Sequence, residues 1–220
     1  HPRDAGKKLF DTMASSPKIA KQLHLPFQSG SSRVLKAMNR HYDRESYLEK
    51  VNYAKSVMPD LVLTSDVIVG FPGETEEDFN ELCEWVKEMK FERMGAFAYS
   101  EEEGTFSAQH YKDDIPQVEK ERRVDTLMAI QQSISSELLS QMVGTQQRVV
   151  IDREEDEYYV GRTQYDSPEV DCEVLIKKSG IGNMKTGNEY RESGVQILEI
   201  GEFYTVTIIK SEDFDLYAQL

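Results

Sequence analysis

"LVLTSDVIVGFPGETEEDF" spans residues 61–79 and decides the fold. Its first part, LVLTSDVIVGF (61–71), is a β-branched apolar run long enough only for a strand buried on both faces. PGETEEDF then turns the chain. Thr75 with Asp78 three residues on resembles a capping box, and the acids of this first turn favour the positive end of a helix running to about Lys90. Upstream, residues 4–22 are weakly helical, QLHLPFQ (22–28) reads as a strand, and helices follow at about 31–39 and 44–57. Downstream, RMGAFAYS (93–100) is a third strand. The loop EEEGTFSAQHYKDD precedes Pro116, which suits a helix start. Leu127, Ile130, Ile134, Leu138 and Met142 then recur at three- and four-residue steps along one long helix. Strands alternating with helices predict an α/β parallel sheet with helical crossovers.

The pattern changes after Gly144. QQRVVID, EYYVGRT, EVLIKK, EFYTVTIIK and FDLYAQL are short strand-like segments separated by glycine and acidic turns, which predicts a small antiparallel barrel or sandwich. The boundary falls at 143–146, giving domains 1–144 and 145–220. Three parallel strands are too few for a closed α/β barrel, which uses eight in about 250 residues. The first domain is therefore expected to be a fragment whose earlier strands lie outside this sequence.

Of the 220 residues, 39% are hydrophobic and 30% charged, an ordinary balance for a soluble globular protein. No apolar run approaches the length of a membrane span and no secretory signal opens the chain, so a cytoplasmic location is expected. Cys83 and Cys172 lie far apart in no metal or redox spacing. The net charge of −14 argues against nucleic acid as the natural partner and suits a basic protein, although acidic charge also serves solubility alone.

Ligands of parallel α/β folds bind at the carboxyl ends of strands. Three ends are distinctive here: Gln28-Ser29-Gly30-Ser31, Gly70-Phe71-Pro72-Gly73-Glu74, and Tyr99-Ser100 with the acids that follow. Gln28 and the serines offer hydrogen bonds to hydroxyls such as those of a ribose. Gly70 and Gly73 permit close backbone approach of a ligand, or are only turn residues. Glu101, Glu102 and Glu103 are candidate acid–base groups or a solvated loop. His24, His41 and His110 show no helical ligand spacing, and the nucleophile-elbow pattern is absent.

LPFQSGSSRVLKAMNR, SDVIVGFPGETEEDF, GAFAYSEEEGT and YYVGRTQYDSPEVD occur in that order, and together they resemble the radical SAM methylthiotransferases. The resemblance implies the C-terminal half of a radical SAM partial (β/α) barrel over 1–144 and a TRAM domain over 145–220. It implies S-adenosylmethionine as cofactor, with Gln28, Ser29 and Ser31 toward its ribose, Val67, Ile68 and Gly70 against the adenine, and Phe97 and Tyr99 closing the pocket. It also implies two [4Fe–4S] clusters in the parent enzyme. Their ligands, a C-x-x-x-C-x-x-C set and three further cysteines, are absent from this sequence. No catalytic residue or metal ligand is therefore assigned here, and the chain by itself is expected to be catalytically silent.

Two branches of that family divide the evidence. LPFQSGSSRVLKAMNR resembles the branch that modifies isopentenyl-adenosine in tRNA. ERMGAFAYSEEEGTFSA and GRTQYDSPEVDCEVLI resemble the branch that modifies an aspartate of a small-subunit ribosomal protein, and a chimeric chain is a third possibility. Charge favours the ribosomal-protein branch. Residues 145–220 carry 16 acids against 8 bases, a net of −8, whereas a tRNA-binding barrel should be basic. Asp166, Glu169 and Asp171, in a turn held by Pro168, are the candidate contacts to a basic ribosomal protein. Tyr158, Tyr159 and Tyr165 are either surface contacts or barrel core. A reading from another class is a non-enzymatic interaction module built on the TRAM domain.

Overall fold

The computed structural model describes residues 1–168, 170–178 and 197–220. They form two compact units, His1–Ser135 and Ser136–Leu220.

In the first unit the order is α1 (Lys7–Ser15), β1 (Gln22–His24), α2 (Ser32–Ala37), α3 (Arg44–Val57), β2 (Val62–Val69), α4 (Glu76–Met89), β3 (Arg93–Ala98), α5 (Phe106–His110) and the start of α6 (Gln117–Gln141). The three strands form a parallel sheet with β2 in the centre. The 61–71 run is thus the strand that the sequence predicts. It is not buried on both faces, however. Leu63, Ser65, Val67 and Val69 are buried, whereas Asp66 and Ile68 are half-buried. The reason is the pleat: alternate side chains leave on opposite faces, and the aromatic core occupies only one of them. On that face Phe27 stacks on Phe91 at 5.1 Å and meets Tyr47 of α3 and Trp85 of α4.

Both helices flanking β2 begin on capping boxes. Asp43 and Ser46 close the start of α3, and Thr75 and Asp78 that of α4. β1 is shorter than expected because Pro26 offers no N–H. The chain rejoins β2 through Gln28, whose N–H donates to the Asp66 carbonyl at 3.1 Å. The stretch after β3, read as pure loop, contains the short helix α5, capped by Thr105.

The second unit is a closed five-stranded barrel, β4 (Gln146–Glu154), β5 (Tyr158–Thr163), β6 (Glu173–Lys177), β7 (Phe203–Ser211) and β8 (Asp215–Gln219), in the order β4-β5-β6-β8-β7. The expectation of an antiparallel barrel needs one correction: β6 and β8 run parallel. A ring with an odd number of strands cannot alternate direction all the way round, so one pair must be parallel. Alternate residues such as Val149, Ile151, Val174, Ile176, Val206 and Ile208 fill the interior, with Leu139 among them. Tyr159 belongs to this core, whereas Tyr158 is half-buried and meets the Tyr217 ring edge-on at 6.1 Å.

Gly161 on β5 is where the barrel is tightest. A Cβ there would lie 2.2 Å from the Val150 carbonyl oxygen, a backbone atom that cannot swing aside. Gly161→Ala should therefore destabilise the barrel by about 1–3 kcal/mol, the usual cost of overpacking. Denaturant unfolding checks this, and an unchanged midpoint would show that the β4–β5 pair yields.

Candidate functional site

The carboxyl end of the sheet gathers most of the sequence-predicted ligand residues, but they do not all face the same way. Val67 is fully buried (0% exposed) on the aromatic-core face, beside Ser65. Ser65 donates from its hydroxyl to the Leu25 carbonyl at 3.0 Å and accepts from the Phe27 N–H at 3.1 Å. Val67 is therefore core rather than a ligand contact. Ile68, one pleat on, faces the other side with Asp66, and Phe97 of β3 stands 55% exposed. On this open face His24 bridges Thr64 Oγ1 (2.9 Å) and Asp66 Oδ2 (3.2 Å), a pair that no sequence motif announced.

The tip of β1 splits between two tasks. Gln28 takes a left-handed backbone (φ 71°), rare for a residue with a side chain. Among the described residues its carboxamide has no partner. Ser29 and Ser31 are buried, each 2% exposed. The Ser29 hydroxyl accepts from the Ser31 N–H at 3.3 Å, and the Ser31 hydroxyl donates to Asp78 Oδ1 at 2.7 Å. Gly30 lies against α4, where a Cβ would come within 2.8 Å of the Leu82 Cα. Ser29, Gly30 and Ser31 thus dock the tip onto α4, and the hydroxyls of Ser29 and Ser31, expected toward a ribose, are engaged within the protein. Hydroxyls this close to a buried carboxylate and a neighbouring amide satisfy those groups first.

Asp78 is the centre of that docking. Besides Ser31 it accepts from both nitrogens of the Arg33 fork (Nε at 3.1 Å) and from the N–H and hydroxyl of Thr75 at 2.9 and 2.8 Å. Arg33 also donates to the Gly73 carbonyl at 2.7 Å. Burial pushes the Asp78 carboxyl up, but the donors from Arg33, Thr75 and Ser31 outweigh it and hold the group well below the ordinary carboxylate range.

At the tip of β2, Gly70 also has a left-handed backbone (φ 71°). The space beside its Cα is not left for a ligand: a Cβ would lie 2.4 Å from Lys120 Cγ. The glycine is required by a lysine stem rather than by an adenine. The Gly70 N–H donates to Glu74 Oε1 at 2.8 Å, and Arg123 of α6 pairs with the same oxygen at 2.5 Å. Burial raises the Glu74 carboxyl above its ordinary range in spite of the Gly70 N–H and Arg123. At the tip of β3, Tyr99 is buried against Phe71, with ring centroids 5.2 Å apart. Among the described residues its hydroxyl has no hydrogen-bond partner.

The barrel acids also sort differently from expectation. Asp166 is buried (8% exposed) and accepts from the Thr163 hydroxyl at 2.6 Å, so it caps its own turn rather than facing a partner. Asp171 is half-buried and accepts from the Ser167 N–H at 2.8 Å. Glu169 lies outside the described residues. The exposed acids of the barrel run instead through Glu154, Glu155, Asp156 and Glu157 at the β4–β5 turn.

Residues 2–86 match the sequence model of the radical SAM superfamily, and residues 143–220 match that of the TRAM domain. The first segment is thus similar to the radical SAM superfamily and the second to the TRAM domain. It is 44% identical over all 220 residues to the ribosomal protein uS12 methylthiotransferase RimO of Phocaeicola vulgatus, covering 48% of that protein. It is also 44% identical over its whole length to the RimO of Bacteroides thetaiotaomicron, covering 47% of it. The RimO of Christiangramia forsetii is 41% identical over 211 residues, 96% of this chain and 43% of that protein. The chain spans about half the length of these relatives. Among solved structures it resembles coproporphyrinogen III oxidase (HemN) of Escherichia coli, a radical SAM enzyme. That likeness has 22% identity and a TM-score of 0.50, covers 61% of this chain and 31% of that one, and shows the fold alone.

Two groups are implied by the superfamily, and the residues present fit them unequally. S-adenosylmethionine suits the strand ends. Gln28 offers an unclaimed carboxamide, Ile68 and Phe97 offer apolar surface on the open face, and the Tyr99 hydroxyl lacks a partner in a buried position. An iron–sulfur cluster is not matched by this chain. Cys83 and Cys172 are its only cysteines, each is buried in a different unit, and among the described residues no three metal-ligating side chains converge.

The Asp78 hub yields a signed prediction. A carboxyl held low in the folded state stabilises above its unfolded pKa of about 4 and loses that contribution as pH falls through the folded value. Asp78→Asn should cost about 1–3 kcal/mol at neutral pH, because the donors of Ser31, Thr75 and Arg33 then meet a neutral amide in place of a buried carboxylate. The gap to the native chain should narrow below about pH 4. Urea unfolding measured from pH 7 to pH 3 checks this, and a gap independent of pH would remove Asp78 from that role.

Proposed function

We propose that this chain is the C-terminal part of a radical SAM methylthiotransferase that acts on an aspartate of a small-subunit ribosomal protein. The observation that carries the reading is similarity along 96–100% of this chain, at 40% identity and above, to several proteins named uS12 methylthiotransferase. The two matched segments stand in the order expected of such an enzyme.

S-adenosylmethionine, when bound, supplies the methyl group and the activated 5′ carbon for such a reaction. The residues of this chain would bind and orient it. Gln28 would hydrogen-bond the ribose, Ile68 and Phe97 would cover the adenine face, and Tyr99 would close the end of the site. The apolar neighbours of Tyr99, Val34, Phe71 and Ile68, would exclude water there. Since no cluster ligands are present, no electron-transfer step is assigned to this chain.

The acidic barrel supports a basic protein as partner. Exposed acids act mainly on association rate, and salt weakens them as the Debye length falls from about 10 Å at 0.1 M to about 3 Å at 1 M. Two outcomes follow. Incubated anaerobically with iron and sulfide, the chain should stay colourless; a brown product holding a [4Fe–4S] cluster would overturn the assignment of the ligands to another part of the protein. In a titration, the chain should bind the basic ribosomal protein more tightly at low salt than at high. Reversing Glu154, Glu155 and Glu157 to lysine should weaken that binding and leave the fold intact. Tight tRNA binding without ribosomal-protein binding would restore the tRNA branch, and binding to neither would leave the interaction-module reading.

A further inference from the structure

A buried lysine is costly unless its charge is used, and Lys120 on α6 is buried at 2% exposure beside the ends of two strands. Its ammonium donates to the Tyr99 carbonyl at 3.0 Å and to Asp113 Oδ2 at 2.5 Å, and lies 5.2 Å from the centre of the Tyr99 ring. Its stem occupies the space that the missing Cβ of Gly70 leaves free. The last ladder bond between β2 and β3 runs from the Tyr99 N–H to the Val69 carbonyl at 2.8 Å. Beyond it the Tyr99 carbonyl has no ladder partner, and Lys120 supplies one. Tyr99 is therefore held on both sides of its peptide, which sets the direction of a ring whose hydroxyl is buried and unpartnered. Asp114 continues the attachment by accepting from the Gly73 N–H at 3.0 Å, so residues 113–114 cross the tip of β2.

From this geometry we infer that Lys120 is a positioning residue for the cofactor-binding end of the sheet, acting through Tyr99. It does not contact the cofactor. The ammonium bonds the Tyr99 carbonyl, the carbonyl fixes the plane of the residue, and the hydroxyl is presented to the ligand. A methionine of similar length would fill the same volume and leave the carbonyl unheld. This inference rests on the reading of the strand ends as the site for S-adenosylmethionine.

The test is a double-mutant cycle read by affinity. S-adenosylhomocysteine is titrated by calorimetry into the full-length protein in four forms: native, Lys120→Met, Tyr99→Phe and the double variant. Lys120→Met should weaken binding about tenfold in the native background and much less once the Tyr99 hydroxyl is gone, because residues in one network couple. Lys120→Arg, which keeps a donor at the carbonyl, should bind within about threefold of native. Melting curves and circular dichroism establish that each variant is folded, and if Lys120→Met does not fold, Lys120→Arg decides alone. Native affinity in Lys120→Met, an equal loss in both backgrounds, or a tenfold loss in folded Lys120→Arg would overturn the role of Lys120 while leaving the cofactor site standing. Absence of binding by the native protein would instead overturn the cofactor reading, and this inference with it.

Discussion

The carboxyl end of the sheet depends on one buried carboxylate. Asp78 lies in the first turn of α4, yet its donors come from three places in the sequence: Ser31 after the tip of β1, Arg33 on α2, and Thr75 at the start of its own helix. A residue that would otherwise only cap a helix thus ties the first strand end, the second helix and the turn after β2 into one network. Because the carboxylate is nearly buried, each donor is needed to offset its desolvation, and the loss of one weakens the hold on the others. Gln28 stands three residues before Ser31, the member of this network nearest the tip of β1.

Much of this was legible before the structure. The strand at 61–71 and the helix at 44–57 follow from apolar runs and periodicity, and the capping box from Thr75 and Asp78. What was not legible is the use of polar residues in buried positions. On α6 the buried positions within the first unit are Lys120, Arg123, Leu127, Gln131 and Ile134, at steps of three and four. An apolar search finds Leu127 and Ile134 and passes over the others, since Lys, Arg and Gln are normally solvated. The three polar members each meet a fixed acceptor. Lys120 finds the Tyr99 carbonyl, Arg123 finds Glu74, and Gln131 donates to the Phe91 carbonyl at 2.9 Å. The helical step was present in the sequence, but the acceptors come from β2, β3 and their ends, which only tertiary structure brings near.

The same limit explains Asp166. YDSPEVD has the composition of an exposed turn, and among its described residues Tyr165, Pro168 and Val170 stand in turns. Composition does not reveal which aspartate bonds the turn's own groups. Asp166 and Asp171 do so, through Thr163 and Ser167. Acids held by hydrogen bonds within their own loop are less free to turn toward a partner. The run at 154–157 is exposed, although two of its members have cationic neighbours, Glu154 with Lys178 and Glu155 with Arg153. The field of the barrel therefore comes from its summed charge more than from any single residue.

Two residues with the same φ of 71° show how structure and function divide at neighbouring strand ends. Gly70 is left-handed and has no side chain, and the space this creates is filled from within by Lys120. Gln28 is left-handed and keeps its side chain, which a glycine would have spared at no cost in backbone strain. Its backbone is held on both sides by β2, with the N–H on the Asp66 carbonyl and the carbonyl on the Ile68 N–H at 2.9 Å. The ladder can thus impose the strained conformation, but the ladder does not require a carboxamide. Gln28 is half-buried, so its carboxamide can reach solvent while its backbone stays in the ladder. The serines beside it are satisfied within the protein. Of the four residues at this tip, Gln28 alone carries a side-chain polar group that meets no partner among the described residues.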